Sequence, residues 1–353
     1  MNAINRIQSV SKIIYGLRKY QNSSPSSIIE EDSFYPGLNN EDIPLKIFSP
    51  KSHHRSTLIL YPGATVKGEA HPKMITLARS LAGTGIKVLL PRIPPLIDLQ
   101  LSKEIFLLTV HFYKWVLKKS ENNHPINLAG VSFGGVIVLK ACLDSFLIKN
   151  KPNSILVFGT SYDVGTSMEF MFSGKIDDNG RALDIKPDPW SIIVLFHNYL
   201  NEINIGYETK EVAIGISYFI HQENKKLEEL IKRLHGPEKD LINDIIELNI
   251  SDEIKRIMDI ILKDCSDQLE FFSPKFWCGD ITNNIFILHG KNDSLSPYTE
   301  SIKLDKKLPN SDLLITGLFE HREISNKISF IEKYRETLNI YKFLSRYLKK
   351  VFS

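Results

Sequence analysis

Short apolar runs that end in turns and alternate with helical patterns are the feature that most constrains this fold. The runs are rich in Ile, Leu and Val, and the segments between them place apolar residues three or four positions apart. Strands of a parallel sheet are continuous apolar runs because helices cover both of their faces. The sequence therefore predicts an α/β fold, a mostly parallel central sheet with helices on both faces. The candidate strands are residues 43–48, 57–61, 86–91, 126–130, 154–160, 285–290 and 312–316.

One long interruption breaks this alternation. Between residues 162 and 280 the sequence has helical patterns and no convincing buried strand, and the α/β pattern then resumes. We interpret the interruption as a helical cap inserted into one α/β core. The predicted division is an N-terminal helix and linker (1–41), the first part of the core (42–161), the cap insertion (162–280) and the second part of the core (281–353).

Composition and charge argue against several classes of function. The formal net charge is +3 and the cations are scattered along the sequence, so we expect no nucleic-acid partner. The three cysteines, Cys142, Cys265 and Cys278, form no CxxC pair, and no HExxH motif occurs. We therefore expect no metal, no organic cofactor and no disulfide framework. An odd number of cysteines and the lack of a secretory signal pattern at the start lead us to expect a cytoplasmic protein.

The first 21 residues form a basic amphipathic segment. Ile4, Ile7, Val10, Ile14 and Leu17 follow helical spacing, and four cations lie among them. A helix of this kind usually docks on the body of its own protein, which is the interpretation that we favour. The alternative is peripheral contact with an anionic membrane surface.

The motif that points most directly to chemistry is the ten-residue stretch INLAGVSFGG at positions 126–135. It places Ser132 between Gly130 and Gly134, after a predicted strand and before a predicted helix. A strand followed by G-x-S-x-G and a helix is the pattern of a nucleophile elbow, a tight turn that presents a serine hydroxyl at the edge of the sheet. The alternative is a serine whose hydroxyl caps the following helix.

A nucleophilic serine needs a base, and the base needs a carboxylate to orient it. Asp293 follows the predicted strand at 285–290, and His321 lies between the last predicted strand and the last helix. Both residues follow predicted strands, and the carboxyl ends of parallel strands lie at one edge of the sheet. We therefore expect both residues at the same edge as Ser132. Asp163, which follows the strand after the elbow helix, is the alternative acid.

The order of Ser132, Asp293 and His321 along the chain resembles that of the α/β-hydrolases. The resemblance covers roughly residues 42–161 and 281–350, with the helical insertion where that superfamily carries its cap. It implies a serine hydrolase with a Ser-His-Asp triad, and it identifies no subfamily. It also implies an oxyanion hole made by the backbone amide of Phe133 and by a second amide in the loop YPGAT, which we assign to Ala64 with Thr65 as the alternative.

The expected activity is hydrolysis of a carboxylic ester or a related acyl bond of a small molecule, and the apolar content of the insertion favours a hydrophobic one. A peptidase or amidase, or an acyltransferase, would use the same triad, and a ligand-binding protein without catalysis would keep only the fold and the pocket. The sequence indicates neither the substrate nor the oligomeric state.

Overall fold

The structure is a computed structural model that describes residues 3–120, 124–178, 180–188, 190–247, 249–318 and 330–353. Its centre is an eight-stranded sheet in the order β1-β2-β4-β3-β5-β6-β9-β10, in which every pair from β4 to β10 is parallel. The α/β fold predicted from the sequence is confirmed. The strands are β1 Ile28–Pro36, β2 Asp42–Pro50, β3 Ser56–Tyr61, β4 Ile86–Pro91, β5 Ile126–Val131, β6 Ile155–Phe158, β9 Ile285–Gly290 and β10 Ser311–Thr316.

Helices lie on both faces of this sheet, and its central strands are mostly apolar. Every residue of β3 and of β9 is buried. One apolar core lies on each face of the sheet, and alternate residues of the strands point into one or the other. The helices outside the insertion are α1 Ala3–Lys19, α2 Pro72–Ala82, α3 Pro94–Ile97, α4 Glu104–Lys119, α5 Phe133–Ala141, α6 Ser145–Lys149, α14 Tyr298–Lys307 and α15 Phe330–Val351.

The insertion is helical and has an apolar core of its own. This core is made mainly by the insertion helices, and it also contacts Ala64, Val66, Leu99 and Tyr298 from the sheet domain. The insertion therefore packs on loops at the carboxyl edge of the sheet. Its helices are α7 Val164–Ser173, α8 Trp190–Tyr199, α9 Lys210–Ile220, α10 Asn224–Arg233, α11 Gly236–Glu247, α12 Asp252–Asp264 and α13 Ser266–Phe272.

Two features of the fold differ from the sequence expectation. The insertion contains a small antiparallel hairpin, β7 Lys175–Asp178 with β8 Arg181–Asp184, whose short polar strands give no apolar signal. The predicted linker contains strand β1, which pairs antiparallel with β2 at the edge of the main sheet. Most residues of β1 are exposed, because an edge strand has a neighbour on one side only, so its sequence lacks the apolar run of a central strand.

Helix α1 docks on the body of the protein, as the favoured interpretation predicts. Val10 and Ile13 are buried, whereas Ile4 and Ile7 are exposed. The predicted apolar stripe therefore divides between two environments. In the described ranges, no helix is both long enough and apolar enough to cross a membrane.

Candidate active site

Ser132 lies at the apex of a strained turn between β5 and α5. Its backbone has φ 55° and ψ −127°, a combination that costs a non-glycine residue about 1–3 kcal/mol. The surrounding backbone holds the turn in place: the Ser132 amide donates to the Phe158 carbonyl at 2.7 Å, and the Ser132 carbonyl accepts from the Gly135 amide at 2.9 Å. The Ser132 hydroxyl makes no capping hydrogen bond to the helix. This geometry fits a nucleophile elbow better than a helix cap.

The two glycines of the motif are required by close backbone contacts. A Cβ on Gly130 would lie 2.2 Å from the Gly134 carbonyl oxygen, and a Cβ on Gly134 would lie 2.5 Å from the Pro62 carbonyl oxygen. Strand β5, the turn, helix α5 and the loop after β3 are therefore packed too tightly for any side chain at these positions. These contacts are the physical reason for a glycine at both positions.

We expect Gly130→Ala to lower the free energy of unfolding by about 3 kcal/mol, because the methyl group would overlap backbone atoms that cannot move independently. Gly83→Ala is the matched control, since its nearest neighbour would lie 3.5 Å away and its φ is −60°. The control should be neutral or stabilising by up to about 1 kcal/mol. Urea unfolding followed by tryptophan fluorescence measures both, and equal stabilities of the two variants would contradict the account.

Asp293 is fully buried in the tight loop between β9 and α14. Its Oδ1 accepts hydrogen bonds from the amides of Leu295 at 2.8 Å and Ser296 at 2.9 Å. Two backbone donors to the same oxygen fix the orientation of this carboxyl group. Asp293 is therefore a rigidly held carboxyl group at the carboxyl edge of the sheet.

A buried histidine that sequence reasoning missed supports the Asp293 loop. His289 in β9 is fully buried, its Nε2 lies 3.0 Å from the Ser296 carbonyl oxygen and 3.3 Å from Asp293 Oδ2, and its Nδ1 lies 2.6 Å from Ser301 Oγ. The ring thus links strand β9, the Asp293 loop and helix α14. The sequence shows only a histidine before a glycine at this point. Its positioning role depends on contacts with Ser296 and Ser301, which the sequence does not show.

We expect His289→Leu to destabilise the protein by about 3 kcal/mol, because it leaves the buried Ser296 carbonyl and Ser301 hydroxyl without this partner. His289→Gln retains a donor and an acceptor, so it should cost less than half as much. Urea unfolding gives both free energies. Equal losses in the two variants would show that the ring contributes volume rather than hydrogen bonds.

Asp163, the alternative acid, already has two polar partners in a structural role. It is the N-cap of α7, where Oδ1 accepts from the Gly165 amide at 3.0 Å. Its Oδ2 accepts from Lys275 Nζ at 2.9 Å, and this hydrogen bond raises the pKa of Lys275. Both carboxylate oxygens therefore hold the start of the insertion, which favours Asp293 as the acid.

The start of the insertion is also fixed by Glu300, which sequence reasoning missed. This fully buried carboxylate on α14 accepts from the amides of Tyr162 and Asp163, from the Thr166 hydroxyl and from Lys303 Nζ, all between 2.7 and 3.1 Å. Four donors compensate the cost of burying its charge. The first residues of the insertion are thereby tied to the core domain.

The loop after β3 lies directly against the turn at Ser132. A Cβ on Gly63 would be 3.0 Å from the Ser132 Cβ. The amides of Ala64 and Phe133 donate to no other group in the part of the chain that the structure describes. Two such amides beside a serine are what an oxyanion hole requires. The indole of Trp190 in α8 donates to the Ala64 carbonyl at 3.4 Å, so the insertion contacts this loop too.

An ion pair with one buried partner, which the sequence does not reveal, holds the far end of the same loop. The Glu69 side chain, 4% exposed, accepts from Nε and Nη2 of Arg92, with the shortest distance 2.7 Å. The hydrogen bonds to Glu69 raise the pKa of Arg92. Arg92 follows β4, so the pair fixes the loop to a neighbouring strand.

The sheet brings the ends of β5, β6, β9 and β10 to one edge. Ser132 follows β5 and Asp293 follows β9, with only β6 between these strands, so the two backbones are separated by roughly 10 Å across the sheet. An imidazole from the loop after β10 would span such a gap. His321 is in that segment of the sequence, but it lies outside the described residues.

Over those described residues, no group of three His, Cys, Asp or Glu side chains is placed to hold a metal ion. Cys142, Cys265 and Cys278 are all free and buried. The described residues bring the Ser132 hydroxyl, the Asp293 carboxyl group and backbone amides to this edge, and acyl transfer also needs a base.

Comparison with known proteins gives a fold and no sequence family. No protein-family model and no curated protein matches the sequence. An acylaminoacyl peptidase from Pyrococcus horikoshii is similar in structure, with TM-score 0.50 and 12% identity over 95% of this chain and 43% of its own. EstE5 is similar with TM-score 0.50 and 13% identity over 98% of this chain and 92% of its own. The chain therefore has the α/β-hydrolase fold, and it spans less than half the length of the acylaminoacyl peptidase.

Proposed function

We propose that this chain is a serine hydrolase that cleaves a carboxylic ester or a related acyl bond through an acyl-enzyme. The observation that carries the proposal is the strained backbone of Ser132 at the apex of the strand–turn–helix. Strain of this size persists only where the surrounding structure enforces it, and it is typical of functional residues. The likeness to solved α/β-hydrolase structures supports the same reading.

In the proposed mechanism, Ser132 Oγ attacks the substrate carbonyl carbon and its proton passes to the imidazole of His321. The carbonyl electrons move onto the oxygen, and the amides of Phe133 and Ala64 hydrogen-bond the resulting oxyanion. Removing one donor of this kind usually raises the barrier by about 3 kcal/mol. His321 then protonates the leaving group, which departs as the C–O or C–N bond breaks.

Water completes the reaction. The water oxygen attacks the carbonyl carbon of the acyl-enzyme while His321 takes a proton from the water. The proton returns to Ser132 when the carboxylic acid product leaves. Asp293 keeps the imidazole in the required tautomer and stabilises its cationic form. The loop hydrogen bonds that orient Asp293 serve this step, because a carboxylate free to rotate would lose alignment with the ring.

The test compares acyl p-nitrophenyl esters of increasing chain length with aminoacyl p-nitroanilides, with Ser132→Ala as the blank. The proposal expects turnover of esters that disappears in the blank. Turnover of anilides alone would identify a peptidase or amidase, and an ester product that predominates over the free acid when a small amount of alcohol is added would identify an acyltransferase. Saturable binding of these compounds without turnover would contradict the proposal and favour a ligand-binding protein.

A further inference from the structure

The helices at the two ends of the described chain, α1 and α15, pack side by side and antiparallel. Arg6 Nε donates to Ser345 Oγ at 3.2 Å, and the hydroxyls of Ser11 and Tyr341 are 2.8 Å apart. Residue numbers thus rise along α1 as they fall along α15. The inner faces of both helices are buried against the sheet domain.

The outer faces of these helices expose large apolar side chains along the line where the helices meet. On α1, residues 4, 7, 11 and 15 follow one helical face, and on α15, residues 334, 338, 341 and 345 do the same. The hydroxyl contact between positions 11 and 341 brings the two faces together. We call the exposed apolar residues of both faces the terminal seam: Ile4 (68% exposed), Ile7 (54%), Tyr15 (57%), Tyr334 (65%) and Leu338 (43%).

Positive charge surrounds the terminal seam. Together α1 and α15 contain ten Lys and Arg residues and only two acidic residues, a formal net charge of +8, whereas the whole chain carries +3. The remainder of the chain therefore carries −5. One of the ten cations, Arg346, is paired with Asp312 of β10. The cations look scattered in the sequence because the two helices lie at opposite ends of it, and the fold gathers them. Lys12, Arg18 and Lys342 are exposed and form no ion pair within the described ranges.

We propose that the terminal seam binds the surface of an anionic lipid bilayer. An apolar strip with tyrosines in it, flanked by cations, inserts shallowly among head groups while the cations meet lipid phosphates. A second copy of the chain is the less suitable occupant, because it would bring another +8 to the same surface. This surface differs from the membrane contact considered from the sequence: Val10 is buried in the protein, and α15 supplies two of the five seam residues.

The role of the cations in membrane binding is tested by flotation of the full chain with vesicles of phosphatidylcholine, with and without about 30% phosphatidylglycerol. We expect binding only to the anionic vesicles, and loss of that binding at about 0.5 M NaCl. The variant Lys12→Glu/Arg18→Glu/Lys342→Glu should bind on the order of 100-fold more weakly, because each cation near the surface adds about fivefold.

The matched control is Lys225→Glu/Lys232→Glu/Arg233→Glu, which makes the same change of net charge on exposed residues of α10 in the insertion. It should bind anionic vesicles like the unmodified chain. Equal losses in both triple variants, or equal binding to neutral and anionic vesicles, would overturn the proposal. So would a dimer in sedimentation that only the seam variant dissociates, because the seam would then be an interface between copies.

The apolar part is tested separately by Ile7→Ser/Leu338→Ser, two exposed positions whose replacement leaves the core intact. Binding should weaken on the order of tenfold, as two buried aliphatic side chains are lost from the head-group layer. Leu107→Ser/Ile148→Ser removes equally exposed side chains elsewhere and should change nothing. Full binding by the seam variant would contradict insertion of the seam.

Discussion

Replacing Ser132 by alanine is expected to lower kcat for an acyl ester by a factor on the order of 10⁴ or more. The change removes the nucleophile and leaves the rest of the site in place, so any residual rate would come from binding and from the oxyanion amides. Alanine has a Cβ, as serine does, so the substitution adds no strain to the backbone with φ 55°. The turn itself is held by hydrogen bonds of the main chain. The fold should therefore survive, and unfolding in urea checks that it does.

The matched control for this loss is Ser161→Ala. Ser161 lies after β6 at the same edge of the sheet, and its hydroxyl is 3.1 Å from that of Ser296. Its removal should change kcat by less than about threefold, because the proposed chemistry does not use it. If Ser132→Ala retained most of the activity, or if Ser161→Ala lost as much, Ser132 would not be the nucleophile.

Replacing Asp293 by asparagine is expected to have the second large effect on kcat. We expect kcat to fall by about 10³–10⁴-fold, because an amide in place of the carboxylate neither stabilises the imidazolium nor selects the required tautomer. Asparagine keeps an oxygen that can accept from the amides of Leu295 and Ser296. The measurement is kcat and KM of the variant and of the unmodified chain for one ester. We expect KM to change far less than kcat.

Asp163→Asn decides between the two candidate acids. Asparagine is as good an N-cap as aspartate, so α7 should keep its first turn, while the charge partner of Lys275 is lost. We expect a fall of kcat of less than about threefold and a small loss of stability, because the ion pair is partly exposed. A larger fall in Asp163→Asn than in Asp293→Asn would exchange the two assignments.

The sequence predicts the parts of this protein whose signal is local. The central strands are mostly apolar, and the serine turn has glycines where backbones meet, so both can be identified without a structure. Strand β1 could not be predicted in this way, because an edge strand is largely polar. Helical spacing placed Val10 in one apolar stripe with Ile4 and Ile7, and it does not say that only part of this stripe docks.

The supporting residues of the site were missed for a different reason. His289, Glu300 and the Glu69–Arg92 pair act through buried contacts with side chains or backbone distant in the sequence; Glu300, for example, binds amides about 137 positions away. Nothing in the local pattern marks such residues, since a histidine or a glutamate near a turn is usually exposed. Only the fold shows that their polar atoms hold the loops that carry Asp293 and Ala64 and the start of the insertion.

The most direct test of the central claim is reaction of the full chain with a fluorophosphonate probe, followed by mass spectrometry to locate the modified residue. Such probes label a serine that is activated by a base and faces an oxyanion hole, whatever the natural substrate. The account predicts a single modified residue, Ser132, and no labelling in Ser132→Ala or His321→Ala. A folded protein that remains unlabelled, also after mild detergent has been added to open the insertion, or one labelled at another serine, would contradict it.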